Sequence, residues 1–228
     1  MEPTLLPSQR SGVYAVSAPS GTGKTTLNSR IEQRHRDVEI SVSLTTRKQR
    51  PGEIDGKHYH FVDRKEFEKN VNEGKMLEWA EVFGNLYGTS KSEVERITEK
   101  GHKVILEIDV QGWMTAKPKL PGALAIFILP PSMIDLWNRL EKRGTDSPEV
   151  RWQRFKAARN EIAAGRIYDF FIINDDLERA YHELEAIIIK GEPGLTSGEA
   201  GRECCDRLLK EFEQSHKILD LKTIHEKI

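Results

Sequence analysis

The sequence lacks several features that mark specialised classes of protein. Its two cysteines, Cys204 and Cys205, are adjacent and cannot join distant segments through a disulfide, which favours a reducing compartment. Its longest apolar runs, such as residues 123–129, are far shorter than the ~20 residues that span a bilayer. The N-terminal MEPTLLPSQR lacks the basic start and apolar segment of a secretory signal. These absences predict a cytoplasmic protein with no membrane partner.

Charge of one sign is not in excess either. Lys and Arg number 35 and Asp and Glu number 36, so the formal net charge is −1. This balance excludes a globally basic nucleic-acid-binding protein and an acidic solvating tail, and we expect no nucleic-acid partner. Hydrophobic residues make up 37% and charged residues 31% of 228 residues, which fits one large domain with a polar surface.

The chain alternates between apolar, β-rich runs and helical patterns. This alternation predicts an α/β fold, in which helices flank a parallel sheet. We expect strands at residues 13–17, 40–43, 58–61, 76–82, 104–109, 123–129 and 170–174. We expect helices at residues 25–36, 64–73, 91–100, 133–143, 148–166 and 177–190, the third of them opened by a capping box at Ser90-Lys91-Ser92-Glu93.

The domain boundaries follow from turn residues and polarity. Residues 1–10 form a short N-terminal segment, and residues 11–190 form the main domain. A break at residues 191–194, Gly-Glu-Pro-Gly, ends this domain. Residues 191–228 form a polar C-terminal extension, partly helical from residue 202 onward, whose role the sequence does not reveal.

A glycine-rich segment follows the first predicted strand and opens the first predicted helix. It matches the P-loop pattern, except that Ala18 holds the first glycine position. In such a loop the glycines let backbone N–H groups point inward as an anion nest, the lysine reaches the β- and γ-phosphates, and the following hydroxyl can ligate Mg²⁺. We therefore assign ATP binding to Ala18, Pro19, Ser20, Gly21, Thr22, Gly23, Lys24, Thr25 and Thr26, with Thr25 also on the metal.

A phosphoryl transferase also needs a site for the acceptor, and a basic loop suggests one. Arg47, Lys48 and Arg50 follow a predicted strand, and two arginines three residues apart suit a bidentate grip on phosphate. By itself this pattern is weak, because a basic loop is usually only solvated. The motifs that follow it, GKHYHF at residues 56–61 and LEWAEVFGNLYGTS at residues 77–90, strengthen it.

Taken together, these motifs resemble those of the guanylate kinase family of P-loop kinases. The resemblance covers about residues 11–190 and includes SAPSGTGKTT, SLTTRKQRPGEIDGKHYHF, LEWAEVFGNLYGTS, LEIDVQG, FILPPS, RLEKRGTDS and IINDDL, in the family's order. It implies a core, a GMP-binding insertion at about 44–90 and a lid at about 139–166. It also implies transfer of the γ-phosphoryl group of ATP to GMP with Mg²⁺, giving ADP and GDP, in purine nucleotide metabolism.

The resemblance also implies roles for individual residues. It implies that Ser43, Glu78, Thr89 and Asp109 bind the guanine edge. It implies that Arg47, Arg50, Tyr59 and Tyr87 bind the GMP phosphate. It implies that Lys24 and the lid arginines Arg139, Arg143 and Arg154 are catalytic. Asn174 lines the adenine pocket in this interpretation, although Asn is also a common turn residue. Glu107 is assigned to the metal and Asp109 to guanine, but the sequence leaves open which of these two carboxylates contacts the metal.

The chemistry of the bases agrees with an acidic guanine reader. Guanine presents N1–H and an exocyclic amino group side by side, and an ionised Glu78 can accept from both. Adenine has a lone pair at N1 and would leave the buried carboxylate unpaired, a mismatch that can yield ~10⁴-fold discrimination. This argues against a kinase for another monophosphate.

Three further points concern alternative functions and residues that the resemblance does not explain. A guanylate-kinase-like interaction module without catalysis is disfavoured by the intact Gly21-Thr22-Gly23-Lys24-Thr25. His58 and His60 are two ligands at most, too few for a structural zinc site. Trp113 is larger than the resemblance leads us to expect, and the sequence gives no reason for it.

Overall fold

The strands and helices closely follow the predicted alternation. The strands are β1 (Val13–Ser17), β2 (Val38–Ile40), β3 (Leu44–Thr45), β4 (His60–Phe61), β5 (Met76–Val82), β6 (Asn85–Ser90), β7 (Lys103–Glu107), β8 (Leu124–Leu129) and β9 (Phe170–Ile173). The helices are α1 (Lys24–Arg34), α2 (Arg64–Asn72), α3 (Lys91–Thr98), α4 (Val110–Ala116), α5 (Met133–Lys142), α6 (Pro148–Ala164), α7 (Leu177–Glu185) and α8 (Gly198–His225).

The structure is a computed structural model that describes residues 12–82, 84–142, 147–192, 196 and 198–225, with side chains up to residue 215. The described chain groups into two units. The first unit contains residues 12–16 and 28–124, and the second contains residues 17–27 and 125–225.

The first unit contains two groups of strands. β1 and β2 each pair in parallel with β7, with Val13 opposite Val104 and Val38 opposite Lys103. The smaller sheet has the order β4-β3-β6-β5, with β6 antiparallel to both β3 and β5. An apolar cluster of Phe67, Met76 and Leu86 packs α2, the helix that follows β4, against strands β5 and β6 of this sheet.

The second unit contributes β8 and β9, which pair in parallel with Ile126 opposite Phe170. All six residues of β8 are buried, as expected for a strand covered on both faces. Each unit thus has parallel strands, β1, β2 and β7 in the first and β8 and β9 in the second, connected by helices. This architecture confirms the predicted α/β class.

One predicted strand, at residues 40–43, is wrong as drawn. β2 ends at Ile40, and the next strand, β3, begins only at Leu44 in the other sheet. Between them the N–H of Val42 donates to the carboxylate of Glu93 at 3.0 Å. Thus the apolar run contains a crossing between sheets, which alternation of residue types does not reveal.

The same contact changes the predicted capping box at the start of α3. The Ser90 hydroxyl accepts from the N–H of Glu93 at 3.2 Å, which confirms Ser90 as the N-cap. The Glu93 carboxylate, however, bonds to Val42 and to the guanidinium of Arg96. The Glu93 side chain, which a capping box would turn back to the N-cap, therefore joins α3 to the chain between β2 and β3.

Two elements near the predicted site were missed from the sequence. β6 coincides with the NLYGTS motif, whose glycine and short length obscured a strand. α4 begins directly after Asp109, whose side chain accepts from the N–H of Gly112 at 2.7 Å. Asp109 therefore caps a helix, whereas the sequence placed it at the end of a strand. The fully buried Trp113 lies on α4, which packs against β5.

The C-terminal extension is more ordered than the predicted polar tail. α8 starts at Gly198, and one face of it is buried against α5, α6 and β9. The buried positions recur every three to four residues, as on one face of a helix: Gly201, Cys204, Cys205, Leu208 and Phe212. Within the described residues, no helix is long and apolar enough to cross a membrane.

The packing of α8 on β9 leads to a stability prediction. A Cβ on Gly201 would overlap the ring of the buried Phe171, so Gly201→Ala requires helix and strand to move apart. We expect the free energy of unfolding to fall by roughly 1–3 kcal/mol in urea titrations. Gly198→Ala is the matched control, because its Cβ would meet the flexible end of Arg202 at 3.3 Å and the carbonyl oxygen of Asp169 at 3.4 Å, with no overlap. Equal effects of the two substitutions would contradict this packing.

Candidate active site

The glycine-rich segment forms a tight turn between β1 and α1. Gly21 and Gly23 have φ values of 92° and 98°, a region that side chains with a Cβ rarely adopt. The N–H of Thr22 bonds to the carbonyl of Pro19 at 3.2 Å, which closes the turn. α1 then begins at Lys24, and the first N–H groups of a helix have no partner within it. The loop and helix end thus provide donors for an anion.

Side chains of the second unit hold this loop in place. The amide of Asn174 donates to the carbonyl of Thr22 at 2.6 Å and lies so near Gly23 that a Cβ there would be 2.5 Å away. Arg139 donates to the carbonyl of Asn174 at 2.7 Å and approaches that of Thr22 at 3.5 Å. The structure therefore brings Asn174 and Arg139 together at the phosphate loop, where their side chains donate hydrogen bonds to backbone carbonyls.

A second arginine reaches the loop from α6. The guanidinium of Arg154 donates to the Ser20 hydroxyl at 2.9 Å. Lys24 is partly buried at the start of α1, and Thr25 and Thr26 are exposed there, where a ligand can reach them. Arg143, the other predicted lid arginine, lies outside the described residues. Two of the three predicted lid arginines thus lie at the phosphate loop.

In the first unit, an irregularity of β5 sets the position of Glu78. The pairing with β6 shifts between Met76, which is opposite Ser90, and Glu78, which is opposite Thr89. Such a bulge re-aims the side chains that follow it. Met76, Leu77 and Glu78 are consecutively buried, and Glu78 is only 4% exposed. A regular strand would have turned one of these three side chains to the other face.

The Glu78 carboxylate is surrounded by residues that were predicted with it. One oxygen accepts from the N–H of Thr89 at 2.8 Å, and the Thr89 hydroxyl lies 3.2 Å from that of Ser43. The other oxygen faces Gly112 at the start of α4, where a Cβ would lie 2.8 Å from it and 3.3 Å from Asp109. The structure thus brings together all four residues assigned to the guanine edge.

Burial controls the protonation of Glu78. Removal from water raises its pKa from 4.5 to about 7, helped by the nearby charge of Asp109 and opposed by the hydrogen bonds from Thr89. Near neutral pH this side chain is therefore divided between its two protonation states. A ligand that donates two hydrogen bonds to the carboxylate would favour the ionised form.

The predicted phosphate grip is partly assembled. The guanidinium of Arg47 lies over the ring of Tyr59, 5.5 Å from its centroid, and the rings of Tyr59 and Tyr87 are 5.9 Å apart. Arg47 also pairs with Glu53 at 2.8 Å, and this hydrogen bond lowers the pKa of the Glu53 carboxyl. Arg50 is exposed and binds Glu53 through its backbone N–H at 2.8 Å.

Glu107 stands apart from the guanine group. It ends β7, and one carboxylate oxygen accepts from the side-chain amide of Asn28 at 2.7 Å. Only the NH₂ end of Asn28 can face a carboxylate, so the orientation of this fully buried amide is fixed. Burial raises the pKa of the Tyr59 hydroxyl, and the negative charge of Glu107 raises it further. The two carboxylates, Glu107 and Asp109, therefore face different neighbours.

The donor chemistry near Glu107 fits Mg²⁺ better than a transition metal. Within the described residues, no group of three or more His, Cys, Asp or Glu side chains could hold a metal by itself. Magnesium is commonly bound by one or two protein oxygens together with waters and substrate phosphates. A single carboxylate such as Glu107, with one oxygen held by Asn28, is compatible with that mode.

Comparison with known proteins places this arrangement in a family. The family model described as guanylate kinase matches residues 10–191. Guanylate kinases of Neisseria meningitidis serogroup A and of Alkalilimnicola ehrlichii are each 49% identical to the chain. The first match covers 79% of this chain and 88% of the relative, and the second covers 77% and 86%. The crystal structure of guanylate kinase from Anaplasma phagocytophilum has a TM-score of 0.63 at 34% identity, covering 80% and 87% of the two chains.

The phosphate loop and the α/β architecture, together with these relatives, define a nucleotide-binding kinase, a phosphotransferase. The chain belongs to the guanylate kinase family. The resemblance and the enzyme class that the motifs implied are confirmed, and the alternative of a non-catalytic interaction module is not favoured.

Three residues around the site were missed from the sequence. Gly112 leaves space for the Glu78 carboxylate, Asn28 holds Glu107, and Glu53 occupies Arg47. Asn28 did leave a signal, because it is polar between the buried apolar residues Leu27 and Ile31 of α1. Gly112 and Glu53 gave no comparable signal, since their roles depend on contacts across elements.

The raised pKa of Glu78 makes stability depend on pH. Between about pH 4.5 and 7 the folded protein keeps a proton that the unfolded chain releases, so the free energy of unfolding falls as pH rises. Glu78→Gln should flatten this slope and stabilise the protein at pH 7 by up to about 3 kcal/mol. Urea denaturation at several pH values measures both effects. Parallel pH profiles for the two proteins would contradict a buried Glu78 with a raised pKa.

Proposed function

We propose that the protein transfers the γ-phosphoryl group of ATP to GMP, giving ADP and GDP. One observation carries the choice of GMP: the buried carboxylate of Glu78, which accepts from Thr89 N–H and has space beside Gly112. The relatives reported above bear the name guanylate kinase, which supports the same acceptor.

The base is selected by matching donors to buried acceptors. Guanine brings N1–H and its 2-amino group to an ionised Glu78, with the hydroxyls of Ser43 and Thr89 beside it. Adenine lacks the 2-amino group and has no N1–H to donate, so a buried carboxylate would lose its hydrogen bonds. Unpaired buried polar groups produce discrimination of ~10⁴-fold in comparable recognition. Because Glu78 must ionise, binding of GMP would release a proton near neutral pH.

Arg47 would bind the monophosphate by exchanging its present partner, the carboxylate of Glu53, for the phosphate. Without a ligand this guanidinium is paired with Glu53 in a fork of two hydrogen bonds, at 2.8 and 3.1 Å. A phosphate offers the same bidentate geometry with more charge. Arg50, Tyr59 and Tyr87 would add a second guanidinium and two hydroxyls. Glu53 keeps Arg47 oriented until the phosphate arrives.

The triphosphate is held by the loop at residues 18–26. Backbone N–H groups around Gly21 and Gly23 face an anion, and Lys24 supplies the charge for the β- and γ-phosphates. Arg139 and Arg154, which touch the loop, are close enough to neutralise charge that develops on the transferred group. Asn174 fixes the loop and keeps its predicted role beside adenine as part of this proposal.

Mg²⁺ is the cofactor that we propose, and when bound it would neutralise phosphate charge and align the reacting groups. Glu107, oriented by Asn28, and the Thr25 hydroxyl would hold it, directly or through water. No general base is needed, because the phosphate of GMP is already ionised near pH 7. We further propose a role in purine nucleotide metabolism, and the cytoplasmic location stays a prediction from the sequence.

A coupled ADP-release assay with Mg²⁺ and ATP tests the acceptor. We expect turnover with GMP and rates at least about a hundredfold lower with AMP, CMP or UMP. Lys24→Ala should lose most of kcat, because the lysine contacts the transferring phosphate. Equal rates with GMP and AMP would remove the guanine assignment while leaving the phosphate loop intact.

Gly112→Ala tests the space beside the Glu78 carboxylate. The new Cβ would lie 2.8 Å from its oxygen, so the carboxylate would have to move from the position in which it would meet the base. We expect KM for GMP to rise about tenfold or more, with KM for ATP changed less than twofold. Steady-state kinetics measure both constants. The control is Gln111→Ala at the exposed neighbouring position, which should behave like the wild type. An unchanged KM for GMP would place guanine elsewhere.

A further inference from the structure

α8 lies beyond residues 10–191, the part of the chain that the family model matches. Its buried face includes both cysteines, and burial raises the pKa of Cys204 and brings that of Cys205 to about 12. These thiols stay protonated and serve as small packing groups. The structural importance of α8 therefore lies in what its buried face contacts.

The first contact is with the start of α5. A carboxylate oxygen of Glu211 accepts from the N–H of Met133, the first residue of α5, at 3.0 Å. Arg207 pairs with Glu211 and donates to the carbonyl of Pro131 at 3.1 Å. An acceptor with negative charge at a helix N-terminus satisfies a donor that has no partner within the helix. Glu211 thus fixes the end of the helix whose other end contains Arg139.

The second contact is with α6. The ring of Phe212 lies 5.1 Å from that of Phe155, and both side chains are buried. An exposed ion pair between Arg159 and Glu213, at 3.1 Å, lies beside this contact. Phe155 directly follows Arg154, which donates to Ser20 in the phosphate loop. Two adjacent residues of α8 therefore contact the two helices from which the arginines extend.

We propose that α8 positions the arginine-bearing helices α5 and α6 on the phosphate loop, with Glu211 and Phe212 as its positioning residues. This inference rests on the proposed function, since it concerns how the enzyme holds ATP. Both residues contact these helices, Glu211 at the N-terminus of α5 and Phe212 on α6. Each acts through a helix, Glu211 through α5 toward Arg139 and Phe212 through α6 toward Arg154.

The GMP residues provide an internal reference. Ser43, Glu78, Thr89 and the Arg47 group all lie in the first unit, whereas α8 and its contacts lie in the second. A change in α8 should therefore alter the use of ATP more than the use of GMP. Overall loss of folded protein would lower all activity without separating the two substrates.

The experiment compares Glu211→Ala and Phe212→Ala with the wild type in the full-length chain. We expect each variant to raise KM for ATP roughly fivefold and to lower kcat, with KM for GMP within about twofold of wild type. Glu211→Gln keeps an acceptor oxygen for Met133 N–H and should restore most of the loss. Gln214→Ala, at an exposed position of α8, should match the wild type.

Thermal unfolding, measured on the same samples, separates positioning from stability. If α8 only stabilises the fold, the Ala variants will melt earlier but show wild-type KM for ATP well below that temperature, and the inference is wrong. Equal loss with Glu211→Gln and Glu211→Ala would also contradict it. Phe212→Leu replaces Phe212→Ala if the latter does not fold. A wild-type protein without GMP-dependent turnover would instead contradict the proposed function.

Discussion

The burial of one carboxylate, Glu78, is the constraint on which the proposed acceptor site depends. Removing a carboxylate from water costs free energy. Here a hydrogen bond from the N–H of Thr89 offsets part of that cost, and Gly112 leaves space for the carboxylate. Burial also raises its pKa to about 7. The raised pKa shows that desolvation outweighs the hydrogen bonds from Thr89. In the proposed function a guanine would supply further donors, so the same cost that destabilises the free protein would give the site its selectivity. Several features of the first unit serve this one group, including the bulge in β5 and the cap of α4 by Asp109.

The phosphate loop presents the opposite electrostatic problem. It must keep backbone donors pointing at an anion, and a chain of glycines alone would lose that shape to conformational entropy. Asn174, Arg139 and Arg154 hold the loop through its carbonyls and a hydroxyl, which leaves the N–H groups for the ligand. In the proposed function the same arginines would also neutralise charge on the ligand, so one set of side chains would serve both purposes.

The C-terminal helix connects this arrangement to a part of the chain that the catalytic motifs do not include. Glu211 and Phe212 contact the helices that contain the arginines, and the buried cysteines beside them pack as inert groups. In this inference α5 and α6 are positioned by α8, which lies outside the part of the chain that contains the motifs. An extension of this kind can tune how a reaction centre is held without altering any group that touches substrate.

The sequence by itself determined the α/β class, most element positions and the family, because apolar periodicity and the phosphate-loop motif are local in the chain. It also placed Ser43, Glu78 and Thr89 in one group through the family resemblance. Only the tertiary structure decided how Glu78 turns inward, since that depends on a register shift between two strands, and why Gly112, Asn28 and Glu53 matter. The same holds for α8, whose buried face has a helical period in the sequence but whose partners, α5 and α6, are distant in the chain. Contacts between distant segments leave no local pattern, and so the structure had to supply them.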